Sequence, residues 1–577
     1  MDYGVVYDIW RSSDCVDEAT RAELAEIEED VAEIEERFGR ELGFGTGGMR
    51  GKMGAGTSRM NRYTVRRVTQ AYASYLLEQV EGSTQSGVVI AYDSRRMSEE
   101  FAREAAYVLA ANGIRAMVFQ GIRPTPLLSF AVRETGAAGG IVITASHNPP
   151  EYNGYKVYGP DGVQLLPEAA GQIANRVSGI DDYLCFSAKP AVPVETVGNE
   201  LDERYIARVT GLLEEISGEM VPRGDRERLE LVYTPLHGTG YLHVPRVMGD
   251  LGFSRLHVVD EQSAPDGDFP TVRLPNPEDP SSFELSIELA MSMDAQARPA
   301  AIIATDPDCD RVGVAAWDGE RYRILTGNQV GVLLADFLIE SARRRGIELE
   351  QCAIVKTIVT TEMIRAQAAR EGVQVIDTLT GFKYIGARID ELESDGRHFL
   401  LGLEESCGYL AGTFVRDKDG VMASALVACV AAWQLAHGRT LIDRLKELYR
   451  TYGCYYERLV SVPIASDGGG VEALDALRQE MPDYVAGFPV VEIRDYFTGW
   501  RKKRGVGVMV PIDLPRENCI QLLLARGGRL TLRPSGTEPK LKLYIAVRGA
   551  SLDKAEARAD AIEATARRIL PVLQDED

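Results

Sequence analysis

Val88-Val89-Ile90-Ala91, then a helix-compatible stretch over 98–111, Gly113, and a second apolar run over 114–119 set the fold class of this chain. A short apolar run bounded by polar residues reads as a buried strand, and a glycine just past a helix suits the left-handed position that ends it. Strand, helix, glycine, strand is an α/β unit. The pattern returns over 229–233, 241–251, Gly252 and 256–259, and again over 353–358, 361–371, Gly372 and 373–376. These units predict three α/β domains of related plan, although their sequences are too dissimilar to be called a repeat. Beyond residue 455, short strand signals at 459–462, 530–532 and 542–547 precede a helix over 552–569, which predicts a smaller α+β domain. Near the N-terminus Leu24, Ile27, Val31, Ile34 and Phe38 recur at spacings of three and four. That stripe predicts one amphipathic helix over 17–38, packed on the body of the protein rather than forming a coiled coil.

At 577 residues the chain has room for several domains, and 45% apolar with 26% charged residues is the composition of a soluble globular protein. A net charge of −22 opposes binding to nucleic acid or to anionic membranes. It does not oppose a sugar phosphate, which needs only a local cationic pocket. The eight cysteines are scattered with no C-x-x-C pair, which predicts reduced thiols rather than a disulfide framework or a zinc site. The acidic N-terminus lacks a signal-peptide pattern, and no apolar run approaches the roughly 18 residues of a membrane span. A cytoplasmic location is expected.

Two polar loops that follow apolar runs carry the chemistry. Gly140-Ile141-Val142-Ile143 leads into Thr144-Ala145-Ser146-His147-Asn148-Pro149-Pro150, placing a hydroxyl at a strand end where α/β sheets bind ligands. A Ser–His hydrolase is not the reading, because consecutive side chains are expected to point apart and G-x-S-x-G is missing. A nucleophile that holds a phosphoryl group fits, with His147 as its hydrogen-bond partner; a polar loop capping the next helix fits equally. Ala301-Ile302-Ile303-Ala304 leads into Asp306-Pro307-Asp308-Cys309-Asp310-Arg311. An EF-hand would need Gly and Glu where Arg311 and Trp317 stand. Pro307 bends the chain so that the three carboxylates converge, which suits Mg²⁺ with room for a phosphate oxygen, and Arg311 is a natural phosphate partner. A surface acidic turn is the alternative.

Three further stretches are weaker alone. Arg533-Pro534-Ser535-Gly536-Thr537-Glu538-Pro539 holds the ingredients of a phosphate cradle, or of a plain turn. Gly43-Phe44-Gly45-Thr46-Gly47-Gly48-Met49-Arg50-Gly51 is no P-loop; it is either flexible or a means of placing Arg50 near a substrate. Glu404-Glu405-Ser406 ends an apolar run, where carboxylates bind sugar hydroxyls or flank a helix start. His237 and His243 read as structural or as supports behind site residues, and His257 as a core residue.

Taken in order, T-A-S-H-N-P, D-x-D-x-D-R, E-E-S and R-x-S-G-T resemble the signature of the α-D-phosphohexomutase superfamily over essentially the whole chain. Phe44-Gly45-Thr46-Gly47-Gly48-Met49-Arg50, Thr380-Gly381-Phe382-Lys383 and Lys418-Asp419-Gly420 match as well. Length and the stretch Gly56-Thr57-Ser58-Arg59-Met60-Asn61 are most similar to the bacterial glucose-phosphate branch near the pentose-phosphate one. The sugar loop departs from the pattern in carrying Leu403 where relatives have Gly, and it lacks the histidine of mannose-accepting relatives.

The resemblance implies four domains around a central cleft: three related α/β domains with mixed sheets over 1–200, 201–321 and 322–453, and a smaller α+β domain over 454–577. It implies a phosphorylated Ser146 that also ligates Mg²⁺ with Asp306, Asp308 and Asp310. Lys156, Arg50 and His147 would act on the transferred group, with Arg311 beside the metal. Glu404 and Ser406 would hold sugar hydroxyls, with Thr380, Lys383 and Lys418 lining the same pocket. Arg533, Ser535, Gly536 and Thr537 would grip the phosphate that is not transferred. The implied reaction interconverts glucose 1-phosphate and glucose 6-phosphate through glucose 1,6-bisphosphate, in a monomer or homodimer. Pentose or mannose phosphates are alternative substrates, as is synthesis of the bisphosphate itself. A Mg²⁺-dependent phosphatase is another enzyme reading, and a non-catalytic sugar-phosphate-binding regulator the reading from outside catalysis.

Overall fold

Each of the three α/β units closes on its glycine. Gly113, Gly252 and Gly372 take φ of 73°, 94° and 79°, the left-handed region that L side chains rarely adopt. They follow the helices Ser98–Ala111, Gly240–Asp250 and Met363–Glu371, which connect the parallel strand pairs Val88–Tyr92 with Ala116–Phe119, Leu231–Thr234 with Leu256–Val258, and Cys352–Thr357 with Gln374–Thr378. The computed structural model describes residues 2–45, 47–181, 183–185, 189–464, 469–506, 508–534 and 540–570.

Among the described residues four sheets form, and three share one plan. In each, a third parallel strand lies on the other side of the first: Gly139–Ile143, Ala301–Thr305 and His398–Glu404. The chain then reverses into an antiparallel strand: Tyr152–Tyr158, Val312–Trp317 and Gly408–Leu410. The repeat that the sequence hides is therefore explicit in the topology. The first sheet adds Gly48–Lys52 beside Tyr152–Tyr158, and Val194–Val197 at its far edge. The fourth sheet is antiparallel throughout, with Cys454–Pro463, Gly528–Pro534 and Lys540–Gly549 packed against the helix Leu552–Ile569. The helix Asn199–Ser217 crosses the expected boundary at residue 200.

Two expectations change. Residues 17–38 form two helices, Glu18–Glu26 and Val31–Phe38, because the Asp30 side chain accepts from Glu33 N and caps a new helix start. Leu24, Ile34 and Phe38 do pack on the body, against Trp10 and Tyr63, whereas Val31 is 60% exposed. The cysteines are not all reduced: Cys15 and Cys185 are disulfide-bonded, with Cα atoms 4.9 Å apart. They lie 170 residues apart in sequence, so no spacing signal announces the pair. Cys309, Cys352, Cys407, Cys429, Cys454 and Cys519 are free. Among the described residues no single helix is long and apolar enough to cross a membrane.

Candidate active site

The three reversals after the third strand of each α/β sheet carry the sequence motifs, and they meet. All three turn through a non-glycine residue with positive φ: Ser146 at 53°, Cys309 at 51° and Cys407 at 63°. Such backbone costs on the order of 1–3 kcal/mol and persists where surrounding contacts enforce it. Val312 N donates to Cys407 O (2.9 Å), and Gly420 N donates to Cys309 O (3.1 Å), which lock the second and third reversals together. Gly420 is required there, since a Cβ would lie 2.5 Å from Cys309 O.

Ser146 is buried, and its Oγ donates to Asp306 Oδ2 at 2.7 Å. Its Oγ also lies 3.2 Å from His147 Nδ1. The expectation that these neighbouring side chains point apart is corrected: the left-handed Ser146 rotates its side chain onto that of the next residue. Burial, reinforced by Arg311 and Arg50, holds His147 well below the usual imidazole range, so it stays neutral. Thr144 Oγ1 accepts from Ser146 N (2.7 Å) and fixes the turn from within.

Asp306, Asp308 and Asp310 are all buried, with ligand oxygens within 4.8 Å of one another. Asp306 Oδ1 accepts from the amides of Asp310 (3.1 Å) and Arg311 (3.0 Å). Asp308 Oδ2 accepts from Thr125 Oγ1 (3.0 Å) and Lys156 Nζ (2.7 Å). Asp308 Oδ1 and Asp310 Oδ1 have no hydrogen-bond partner among the described residues. Two orphaned carboxylate oxygens in a buried acidic cluster are what a hard divalent cation satisfies, so the donor set fits Mg²⁺. Burial and the neighbouring Asp308 and Asp310 push Asp306 well above the usual carboxylate range. Burial also acts on Asp308, but Lys156, with Asp306 and Lys418, holds that carboxyl low.

The cations converge as the motifs suggest. Lys156 sits opposite Gly48 in the register that sets Arg50 opposite Gly154, so Arg50 and Lys156 stand on adjacent strands. Arg50 Nη1 donates to Asn148 Oδ1 (2.9 Å). Lys418 Nζ lies 3.1 Å from Asp310 and 3.1 Å from Asp417. Arg311 pairs with Glu278 at 2.6 Å and donates to Ser406 O at 3.3 Å. Glu404 accepts from Gly381 N (2.9 Å), and burial pushes its carboxyl up to about 7. Thr380 Oγ1 is a buried hydroxyl without a hydrogen-bond partner among the described residues. Burial lowers Lys383 to about 8. Arg533 pairs with Glu517 at 2.5 Å; Ser535, Gly536 and Thr537 lie outside the described residues.

The sequence did not point to Thr125, Glu278, Glu517 or Arg95. Arg95 donates to the carbonyls of Ser146, Asn148, Pro149 and Tyr152. Contacts to main chain leave no pattern in a sequence; the one available signal was that Arg95 closely follows a buried strand. His237 bonds to Ala264 O and Thr271, and His243 to Asp202. His257 is not core: it lies on an edge strand, 40% exposed, against Glu230.

Comparison with known proteins agrees with this geometry. Models of phosphoglucomutase/phosphomannomutase α/β/α domains I, II and III match residues 41–184, 203–319 and 326–452. The phosphoglucomutase of Staphylococcus epidermidis is 37% identical over 89% of this chain and 92% of its own. That of Staphylococcus aureus is 34% identical over 92% of this chain and 95% of its own. Among solved structures, a phosphoglucomutase/phosphomannomutase family protein from Burkholderia thailandensis superposes with a TM-score of 0.66 at 21% identity, covering 92% of this chain and 97% of that one. Parafusin from Paramecium, in its open form, gives 0.66 at 18% identity with the same coverage. With its three α/β domains matched in order and most of its length aligned to these mutases, the chain belongs to the phosphoglucomutase/phosphomannomutase family.

Proposed function

We propose that the protein is a cytoplasmic phosphoglucomutase, an isomerase that interconverts glucose 1-phosphate and glucose 6-phosphate through a phosphorylated Ser146. The observation that carries this reading is Ser146 Oγ held 2.7 Å from Asp306, whose cluster partners Asp308 and Asp310 each keep a carboxylate oxygen without a hydrogen-bond partner among the described residues. The names of the Staphylococcus relatives, at 34–37% identity, support glucose phosphate as the substrate. So does the sugar loop Glu404-Glu405-Ser406.

Asp306, Asp308 and Asp310, with Ser146, would hold Mg²⁺, which when bound neutralises charge on the transferred phosphoryl group. In the forward direction the Ser146 Oγ–P bond breaks as the free hydroxyl oxygen of glucose 1-phosphate bonds to phosphorus and gives up its proton, and Ser146 Oγ takes up a proton, giving glucose 1,6-bisphosphate and the free serine hydroxyl. The bisphosphate, which also serves as activator, turns over in the cleft; its other phosphate returns to Ser146 and glucose 6-phosphate leaves. Arg50, Lys156 and Arg311 spread positive charge around the transferred group, and His147 donates or accepts a hydrogen bond at Ser146 Oγ. Glu404 and Ser406 orient sugar hydroxyls, with Thr380, Lys383 and Lys418 at the pocket wall. Arg533, Ser535, Gly536 and Thr537 hold the distal phosphate. Domains over 1–200, 201–321, 322–453 and 454–577 supply one loop each, in a monomer or homodimer. The test compares kcat/KM for glucose, mannose and ribose 1-phosphates with Mg²⁺ and a trace of bisphosphate. Preference for glucose 1-phosphate supports the reading; preference for ribose 1-phosphate moves the same chemistry to pentoses, and release of free phosphate replaces it with a phosphatase.

A further inference from the structure

Ser146 is held in a backbone conformation that serine rarely adopts, and something must enforce it. The enforcing group is buried beneath the loop. Arg95 is 3% exposed, and its hydrogen bonds go to the main chain of the nucleophile loop. Nη1 donates to Pro149 O (2.8 Å) and Tyr152 O (3.1 Å). Nη2 donates to Ser146 O and Asn148 O. A guanidinium carries five N–H donors in a rigid fork, and here the four terminal ones bind four carbonyls of one turn.

Its other contacts anchor the clamp. Asp93 lies 3.5 Å from Arg95 Nε, and accepts from Arg95 N (3.0 Å) and Ser98 Oγ (2.7 Å). The face of the Phe269 ring, from the second domain, lies 5.0 Å from the guanidinium carbon. The segment before Phe269 packs onto the loop that carries Arg95: a Cβ on Gly267 would lie 2.6 Å from Arg96 N, and Asp268 pairs with Arg96. The group that shapes the Ser146 turn is thus also pressed against the domain that supplies Asp306.

We propose that Arg95 is the positioning residue of the nucleophile loop, fixing left-handed Ser146 through four main-chain carbonyls and, through Phe269, setting it against the aspartates. This rests on the mutase reading of Ser146. Lysine cannot substitute, since one ammonium offers three donors from a single point and cannot span carbonyls along the turn.

The test measures kcat and KM for R95K and D93N in the full chain, with kcat divided by the phosphate carried on Ser146, read by intact mass. For R95K we expect kcat per phosphorylated site to fall about 10²-fold, the scale of a 1 Å misplacement. KM should stay within about 3-fold, since Arg95 does not hold the sugar. A merely structural role would reduce the amount of phosphorylatable protein and leave kcat per phosphorylated site at the wild-type value; that result overturns the inference. Should R95K give no soluble protein, D93N decides: about a 10-fold loss of kcat per site with KM unmoved supports the clamp, and wild-type kcat overturns it. A wild-type protein with neither turnover nor phosphate on Ser146 removes the mutase reading and the inference with it. Active, phosphorylated wild type beside unimpaired variants removes the inference alone.

Discussion

The turn that carries Ser146 and the turn that carries Asp308 occupy the same position in two sheets of matching strand order, yet they are made from opposite materials. The first is polar and uncharged at its tip, and depends for its shape on a cation beneath it that binds main-chain carbonyls. The second is anionic, and is shaped by its own carboxylate: Asp306 Oδ1 accepts two amides of its own loop. The third reversal carries another acid, Glu404, at the end of its strand. The difference teaches that the repeated topology supplies only an address, a strand end where the backbone can turn through a left-handed residue. What each address does is decided by a few side chains, which is why three copies of one plan hold three separate jobs.

If the division of labour is right, removing the hydroxyl should have the largest effect. Ser146→Ala is expected to lower kcat by about 10⁴-fold or more, the scale seen when a covalent nucleophile is lost. Loss of the hydrogen bond to buried Asp306 should lower stability by about 1–3 kcal/mol, read by denaturant unfolding, so the fold survives. Retained mutase turnover would make the two turns equivalent in function and break the comparison. The aspartate turn comes next. Asp308→Asn is expected to raise the Mg²⁺ concentration for half-maximal activity by about 10² or more, at the top of the roughly 10–100-fold range of outer-shell changes. An unchanged Mg²⁺ dependence would mean that the orphaned oxygens serve another purpose.

How much of this could be read from the sequence depended on distance along the chain. The α/β units were legible because apolar runs, helix spacing and a terminal glycine are local signals; Gly113, Gly252 and Gly372 fall at the helix ends the pattern assigned. The repeat was not, because strand order and the antiparallel reversal are properties of pairing, not of composition. In the site, the Ser146 and Asp306–Asp308–Asp310 motifs were legible because each lies within one loop. Arg95, Thr125 and Glu278 were not, since each acts on a partner more than thirty residues away. The single helix over 17–38 failed on one residue: Asp30 binds the backbone of the next turn and restarts the helix, which periodicity alone does not register.

The third reversal gives the smallest effect and the sharpest contrast with the second, because its acid is expected to bind hydroxyls rather than a metal. Burial pushes Glu404 up to about 7 from an ordinary 4.5, against the opposing pull of Lys418. The folded state therefore holds this proton more tightly than the unfolded chain does. That contribution to stability is full below about pH 4.5 and is lost as pH rises through about 7. Glu404→Gln, which cannot ionise, is expected to match wild-type stability near about pH 4 and to exceed it by roughly 1–3 kcal/mol near about pH 8, by unfolding at both values. Activity should move the other way. The ionised carboxylate is the stronger acceptor for sugar hydroxyls, so wild-type kcat/KM is expected to rise about 10-fold from about pH 6 to about pH 8. The glutamine variant should lose that step and fall about 10-fold below wild type at the upper pH, the cost of exchanging a charged acceptor for a neutral one. A variant that is more stable at alkaline pH yet keeps the wild-type pH profile would show that Glu404 is buried charge without a role in binding, and would leave the third reversal as scaffold.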